Sequence, residues 1–211
     1  MSENPDIVII ASGGIPDTDF VEGGDACLSV QDVLSGSPLT GNILVYDDSG
    51  THPGPSCADF LSEQESVQVE LVTPDRHAAA EMGGLNYPIY YENFYRKGVT
   101  VTPNHRLKKV IKENNLLKVI FANEFGGPDI ERTVNYIVVE HGNLPIEELY
   151  LDLKGDSKNN GNIDYQALLD QQVQPQTTST NGYLLYRVGD AIASRNIHAA
   201  IYDSLRLCKD I

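Results

Sequence analysis

The sequence has few cysteines, few basic residues and no long apolar run. Its three cysteines, Cys27, Cys57 and Cys208, are far apart and show no C-x-x-C spacing. This spacing argues against a disulfide framework and gives no pattern for a zinc or iron–sulfur site. Only 15 Lys and Arg stand against 30 Asp and Glu, for a net charge of −15. Because phosphate backbones and anionic membranes bind clustered basic side chains, neither is an expected partner.

No apolar segment near the amino terminus is long enough to cross a bilayer. The apolar run 7–11 is far shorter than the roughly 20 residues that a membrane span requires. No cationic stretch precedes this run, so we expect a cytoplasmic protein. The overall content of 41% hydrophobic residues, 18 Gly and 11 Pro is that of a globular chain. A length of 211 residues allows one large domain or two small ones.

Residue types that carry hydrolytic or metal chemistry form no recognisable pattern. No G-x-S-x-G, phosphate-loop or H-x-x-x-H motif occurs in the sequence, so we assign no catalytic residue and no metal ligand. The one basic cluster lies in a strand-like segment, and we interpret it as a solvated face. This cluster consists of Arg106, Lys108, Lys109 and Lys112.

The order of apolar runs predicts an α/β fold. Residues 42–46 form a buried strand, a bend rich in small residues follows, and apolar positions at helical spacing precede a second strand at 67–72. This β-turn-α-β unit is half of a nucleotide-binding fold. Strand-like runs at 107–111, 116–122 and 134–139 add a β-meander. The predicted fold class is therefore a Rossmann-like parallel sheet with a β-meander.

The bend after residue 46 carries glycines in a G-x3-G-x3-A pattern. Gly50 suits a tight turn, Gly54 allows close approach of the backbone to a diphosphate, and Ala58 lets the helix pack on the strand. Pro53 and Pro55, however, remove backbone donors that a phosphate would use. Two interpretations stay open, a dinucleotide site and a turn that only joins strand to helix.

The loop after the second strand of this unit offers a further contact to a nucleotide. Arg76 follows this strand and could meet an adenosine phosphate, although a lone arginine in a loop is more often solvated. Together with Asp48 and the two glycines of the bend, Arg76 completes the predicted inner cofactor contacts. The pattern does not separate NADH, NADPH and ADP.

A Gly-Asp pair follows the last predicted strand. Gly189 and Asp190 come after the strand-like run 183–188 and before a helix with an apolar stripe. The carboxylate could accept a hydrogen bond from a cofactor hydroxyl, or it could cap the helix. From spacing alone, the cap is favoured. The stripe consists of Ile197, Ile201, Leu205 and Cys208.

Five segments together carry a family resemblance. The runs DIVIIASGGIP, NILVYDDSGTHPGPSCADFL and RVGDAIASRNIHAAIYDSLRLCKDI resemble the carboxy-terminal region of the NADH:flavin oxidoreductase and trimethylamine dehydrogenase family. The segments VELVTPDRHAAAEMGGLNYPIYYENFYRKGV and VVEHGNLPIEELYLDLK are similar to its branch of N-methylproline and dimethylglycine demethylases. The likeness covers nearly the whole chain.

The resemblance implies a domain plan. Family members carry FMN and a 4Fe-4S cluster in an amino-terminal TIM barrel, followed by two nested nucleotide-binding domains. Residues 1–37 would then be part of an outer FAD-type domain, 38–145 an inner ADP- or NAD(P)-binding domain, and 146–211 the return to the outer domain. Gly13 and Gly14 would belong to the outer cofactor site. Asp190 would lie against the ribityl or ribose region of FAD or ADP, which reverses the preference for a cap.

The resemblance also implies a function. The chain would be the nucleotide-binding carboxy-terminal portion of a flavin-dependent oxidoreductase that acts on N-methylated amines or enoyl-type substrates. Its catalytic barrel lies outside this sequence, so the chain alone is expected to lack the catalytic centre and to bind FAD weakly or not at all. The alternative is a noncatalytic acidic module that docks a barrel subunit or an electron carrier.

Overall fold

The computed structural model describes residues 4–36, 38–175 and 182–209. The chain divides into two compact units, which we call the inner unit, Pro16–His141, and the outer unit, Met1–Ile15 with Gly142–Ile211. The segment 16–37, which the sequence analysis assigned to the outer domain, is part of the inner unit. The identification of the units as ADP- or NAD(P)-type and FAD-type domains stays a prediction.

The described residues form strands, helices and two 3-10 turns. The strands are β1 (Ile7–Ile10), β2 (Gly14–Pro16), β3 (Leu28–Ser29), β4 (Gly41–Asp47), β5 (Val67–Val72), β6 (Thr100–Thr102), β7 (His105–Glu113), β8 (Leu116–Asn123), β9 (Ile130–Val134), β10 (Tyr136–Glu140), β11 (Asn143–Pro145) and β12 (Leu184–Arg187). The helices are α1 (Val30–Leu34), α2 (Pro53–Ser62), α3 (Tyr87–Lys97), α4 (Glu148–Lys154), α5 (Tyr165–Leu169) and α6 (Ile197–Cys208). Single 3-10 turns lie at Gly24–Ala26 and Gly189–Ala191.

A five-stranded parallel sheet organises the inner unit. Its order is β3-β10-β4-β5-β6. Alternate residues of β4 point to opposite faces, so Ile43 and Val45 join a core that includes residues of α1, α2 and α3, whereas Leu44 and Tyr46 join a core with residues of the β7-β8-β9 strands. Both faces are thus covered, as continuous apolar strands require. The predicted α/β fold class, with β4, α2 and β5 as its first unit, is confirmed.

The meander of the inner unit is the antiparallel sheet β7-β8-β9. The sequence analysis took 134–139 as one meander strand, but the structure divides this run at Asn135. The side-chain Oδ1 of Asn135 accepts a hydrogen bond from the amide of Asn42 at 2.8 Å, and its own amide donates to the Asn42 carbonyl at 2.9 Å. The chain therefore leaves the meander at Val134 and enters the parallel sheet at Tyr136. Apolar residues on both sides of the break concealed it.

Two short sheets form the framework of the outer unit. β1 pairs in parallel with β12, from Ile7 opposite Leu184 to Ile10 opposite Arg187, and β2 pairs with β11. The buried core around these strands is small and includes Ile10, Leu185 and Tyr186. These strands bring two segments together that are separated by the whole inner unit.

Helix α6 lies where the apolar spacing predicts a helix, and its apolar stripe is not buried. Asn196 caps its amino terminus, because its side-chain oxygen accepts from the amide of Ala199 at 2.9 Å. Ile197, Ile201 and Leu205 are 71%, 61% and 61% exposed, and the buried side of the helix carries Leu207. The apolar stripe read from the sequence therefore faces solvent in the described chain.

Candidate functional site

The outer unit contains a groove at the carboxyl ends of β1 and β12. Its volume is about 400 Å³, and it brings Gly13 together with Gly189 and Asp190. Three of the predicted contact residues, far apart in sequence, therefore lie at one place. The groove is also lined by Ala11, Val188, Arg195, Asn196, Ile197, Ala200 and Ser204.

The two glycines after β1 have different surroundings. Gly13 has a φ of +75°, and a Cβ added to it would meet no atom within 4 Å, so its backbone is open to an incoming group. A Cβ on Gly14 would lie 2.8 Å from the Cβ of Asn143 and 2.8 Å from the carbonyl oxygen of Leu144. Gly14 thus permits the close contact of β2 with β11, whereas Gly13 faces the groove.

Asp190 is oriented by two donors and is not the cap of α6. Its Oδ2 accepts from Nδ2 of Asn143 at 3.2 Å, and its Oδ1 accepts from the backbone amide of Arg195 at 3.3 Å. Because Asn196 caps α6, the cap role that spacing favours for Asp190 is taken by another residue. The carboxylate lines the groove with acceptor capacity for further donors.

Gly189 is shaped by tight packing against α6. Its φ is +62°, and an added Cβ would lie 3.1 Å from the Cβ of Ala200. Its amide donates to Oδ2 of Asp203 at 3.3 Å, and Asp203 also forms an ion pair with Arg195. The guanidinium of Arg195 is thereby held at the groove, where it places a positive charge beside the amino terminus of α6.

The bend of the inner unit is organised by Asp47, a residue that the sequence analysis did not single out. Its side chain is fully buried, and Oδ1 accepts from the amides of Ser49 and Gly50 at 3.1 and 3.2 Å and from the Ser49 hydroxyl at 3.0 Å. The other oxygen, Oδ2, is buried without a hydrogen-bond partner in the described structure. Burial raises the pKa of Asp47 to about 7.

Both glycines of the bend contact carboxyl-bearing side chains. A Cβ on Gly54 would lie 2.6 Å from Cβ and 2.6 Å from Cγ of Asp47. Gly50 has a φ of +64°, and an added Cβ would lie 3.0 Å from Oδ2 of Asp75 and 3.3 Å from Cγ of Glu81. Their roles as cofactor contacts stay predictions, as does that of Arg76, whose side chain is exposed after β5.

Asp48 has a partner that sequence spacing could not indicate. Its two carboxylate oxygens accept from Nδ1 of His141 at 2.9 and 2.8 Å, and the Tyr46 hydroxyl donates to it at 3.3 Å. Phe20 stacks on the His141 ring with centroids 3.8 Å apart. The pair forms because β4 and β10 end side by side, with Glu140 opposite Asp47. The predicted cofactor role of Asp48 stays a prediction.

The basic cluster of β7 is neutralised by neighbouring carboxylates. Each of its four side chains forms an ion pair, at 2.7 Å for Arg106 and 2.5 Å for Lys109. Charges held in this way leave little net positive potential for a phosphate backbone. The partners are Glu124 for Arg106, Asp129 for Lys108, Glu22 for Lys109 and Asp25 for Lys112.

Within the described ranges, no cluster of three His, Cys, Asp or Glu side chains could hold a metal ion. All three cysteines are free thiols, and burial raises the pKa of Cys57 to about 12. None of the helices described for this chain is long and apolar enough to cross a membrane.

Comparison of the sequence with known proteins gives full-length matches to parts of longer enzymes. No protein-family model matches. The chain is 40% identical to a probable N-methylproline demethylase of Rhizobium meliloti (strain 1021), over 100% of the chain and 31% of that protein. It is 40% identical to an N,N-dimethylglycine/sarcosine dehydrogenase of Chromohalobacter salexigens, over 98% and 32%. A multifunctional alkene reductase/demethylase of Caballeronia cordobensis is 35% identical over 99% and 31%. The chain thus spans about a third of the length of these curated relatives.

Solved structures of longer enzymes share the fold of this chain. The 6-hydroxypseudooxynicotine amine oxidase of Pseudomonas geniculata N1 superposes with a TM-score of 0.75 at 19% identity, over 96% of this chain and 28% of that one. The thioredoxin reductase of T. acidophilum superposes with a TM-score of 0.62 at 16% identity, over 97% and 64%. The similarity shows that the chain has the fold of the FAD/NAD(P)-binding domains of these enzymes.

Proposed function

We propose a function from the premise that the chain belongs to the NADH:flavin oxidoreductase and trimethylamine dehydrogenase family and matches its carboxy-terminal region. In this proposal the chain is the nucleotide-binding portion of a flavin-dependent oxidoreductase that demethylates or dehydrogenates N-methylated amines. Enoyl-type compounds are the second proposed class of substrate. The bond-breaking chemistry belongs to a part of the protein outside this chain, and the chain binds and orients a nucleotide.

The observation that carries this proposal is the groove of the outer unit. It unites Gly13, Gly189 and Asp190 in a volume of about 400 Å³ at the ends of parallel strands, where α/β folds bind nucleotides. The residues fit the ADP part of FAD, or ADP itself. The diphosphate would lie against the open backbone of Gly13, and Asp190 would accept from a ribose or ribityl hydroxyl.

The described residues of this chain offer no comparable site for the 4Fe-4S cluster that the family resemblance implies. A 4Fe-4S cluster needs four thiolates, and the three cysteines here are dispersed, with Cys57 buried in the core of the inner unit. We therefore propose that a 4Fe-4S cluster, together with the FMN that the family resemblance implies, is held outside this chain. A bound flavin would supply hydride or electron transfer, and this chain contributes the orientation of the nucleotide.

The second candidate function is a noncatalytic module that docks a barrel subunit or an electron carrier. Two features favour it, the net charge of −15 and the exposed stripe Ile197, Ile201 and Leu205. In this case the outer groove would have no nucleotide, and the unit would act only through its surface.

Calorimetric titration of the purified chain with ADP and FAD tests the proposal. We expect one site per chain, weak for an isolated portion, and a loss of affinity of roughly 10- to 100-fold in Asp190→Ala, because a hydrogen bond to a charged group is removed. Asp152→Ala is the matched control, since Asp152 is an exposed acid of the same unit on α4.

The titration also separates the two candidates. Unchanged affinity in Asp190→Ala, with circular dichroism equal to that of the unsubstituted chain, would refute the groove assignment. The absence of any heat with either nucleotide, combined with copurification of a barrel subunit, would favour the docking module.

A further inference from the structure

The bend of the inner unit occupies the position at which this fold ordinarily binds a diphosphate. It follows β4, the central strand of the parallel sheet, and leads into the amino terminus of α2. A diphosphate at such a bend is held by free backbone amides and by a glycine that allows close approach. The contacts of the bend therefore decide whether free amides and an open glycine are present there.

We infer that Asp47 closes the inner unit to dinucleotides, because its carboxylate occupies the anion position of the bend. Oδ1 accepts from the amides of Ser49 and Gly50 at 3.1 and 3.2 Å, so these two donors already have an acceptor. The side chain is fully buried. The carboxyl group of Asp47 thereby takes the position that the diphosphate of a nucleotide would occupy.

The space beside the bend is also taken. The position a side chain would fill at Gly54 lies 2.6 Å from Cγ of Asp47, so the absence of a side chain there admits the carboxylate instead of a ligand. Pro53 and Pro55 stand at the first and third positions of α2 and have no amide hydrogen. The first turn of α2 therefore retains few donors for an anion.

The charges around the bend act in the same direction. Asp75 and Glu81 line Gly50. Burial and, to a smaller extent, the carboxylates of Glu81 and Asp48 raise the pKa of Asp75. Burial is also the main cause of the raised pKa of Asp47, with a smaller contribution from Glu140. His77 and Arg106 oppose this effect at Asp75, but Arg106 is already paired with Glu124. A diphosphate entering here would meet several carboxylates at close range.

The inference concerns a different unit from the groove of the proposed function and can fail separately. It limits the chain to one nucleotide, bound by the outer unit, and it predicts that neither NADH nor NADPH is delivered by the inner unit. Asp47 is then the residue that sets this specificity by occupying the position of the ligand.

Titration in an Asp190→Ala background tests the closure, because that change disables the outer groove. We expect no saturable binding of NADH or ADP up to millimolar concentration. Adding Asp47→Ala frees the two amides, and we expect saturable ADP binding with at least a 10-fold gain in affinity. Asp47→Asn is the matched control, since its side-chain oxygen still accepts from Ser49 and Gly50, and it is expected to stay closed.

Backbone resonances keep the test decisive if Asp47→Ala fails to fold. In the unsubstituted chain, the amide signals of Ser49 and Gly50 are expected to stay unmoved by NADH or ADP, whereas those of Gly13 and Gly189 shift. Movement of the Ser49 and Gly50 signals overturns the inference. So does NADH binding in the Asp190→Ala background, if the added substitution Gly54→Val weakens that binding. A folded Asp47→Ala variant that gains no ADP binding overturns the role given to Asp47.

Discussion

The two units are built from similar parallel strands but differ in what covers them. In the inner unit, five strands are packed between helices and the meander, and Leu71 on β5 is fully buried. In the outer unit, the parallel pair β1 and β12 has a small core, and Leu205 on α6 is 61% exposed. These two leucines therefore contribute very different amounts to stability.

The turns that follow β4 in the inner unit and β1 in the outer unit differ in the same sense. In the inner unit, Asp47 fills the corner and binds its amides. In the outer unit, Gly13 opens on a groove that Asp190 and Arg195 border. Similar strand-to-turn patterns can therefore produce one corner that is satisfied from within and another that is open to a ligand.

The largest expected difference is that between Leu71→Ala and Leu205→Ala. The first leaves a cavity in a packed core and should lower the free energy of unfolding of the inner unit by about 2 to 5 kcal/mol. The second removes an exposed side chain from α6 and should change stability by no more than about 0.5 kcal/mol. Urea unfolding followed by circular dichroism measures both, and equal losses would remove the contrast between the units.

A smaller effect is expected from Asp47→Asn and appears as a change in pH dependence. Burial raises the pKa of Asp47 to about 7 from 3.8, so the unfolded chain loses this proton at a lower pH than the folded one. Stability from this group is thus fully present below about pH 4 and is lost by about pH 7, at roughly 1.4 kcal/mol for each unit of pKa difference.

The substituted protein should therefore lose less stability between pH 4 and 7 than the unsubstituted chain. Urea midpoints at several pH values measure the slope, and Asp152→Asn, an exposed acid of the outer unit, serves as the control with an unchanged slope. A slope equal in all three proteins would show that Asp47 titrates normally.

The smallest effect on stability is expected from the double substitution Ile201→Ser and Leu205→Ser. Both side chains are exposed on α6, so unfolding midpoints should move little. Binding of the dye ANS, which detects exposed apolar surface, should fall. A marked loss of stability instead would show that the stripe packs against other residues in solution.

Much of the fold could be predicted from the sequence because its signals are local. The apolar runs of β4 and β5 and the small residues between them predict strand, bend and helix. The end of the meander could not be located, because Asn135 divides two apolar strands and its partner, Asn42, lies at the start of another strand. Spacing predicts that α6 is a helix, but it does not tell whether its stripe is covered.

The site was predictable only in part, for a related reason. The turn glycine Gly13 and the pair Gly189 and Asp190 follow strands, so their place at one edge of a sheet can be expected. The role of Asp47 depends on the direction of a side chain, which spacing does not contain. The pairing of Asp48 with His141 depends on the adjacency of β4 and β10.

The pairing of β1 with β12 has a consequence for synthesis on the ribosome. Ile7 is synthesised before the inner unit and its partner Leu184 after it, so this sheet cannot form until the inner unit has been synthesised. The close packing of Gly14 against Asn143 brings the two ends of the inner unit near each other. The loop that the pairing of β1 with β12 must close is then effectively shorter, although the entropy saved grows only with the logarithm of loop length. The nascent chain should thus fold its inner unit first and complete its outer unit last.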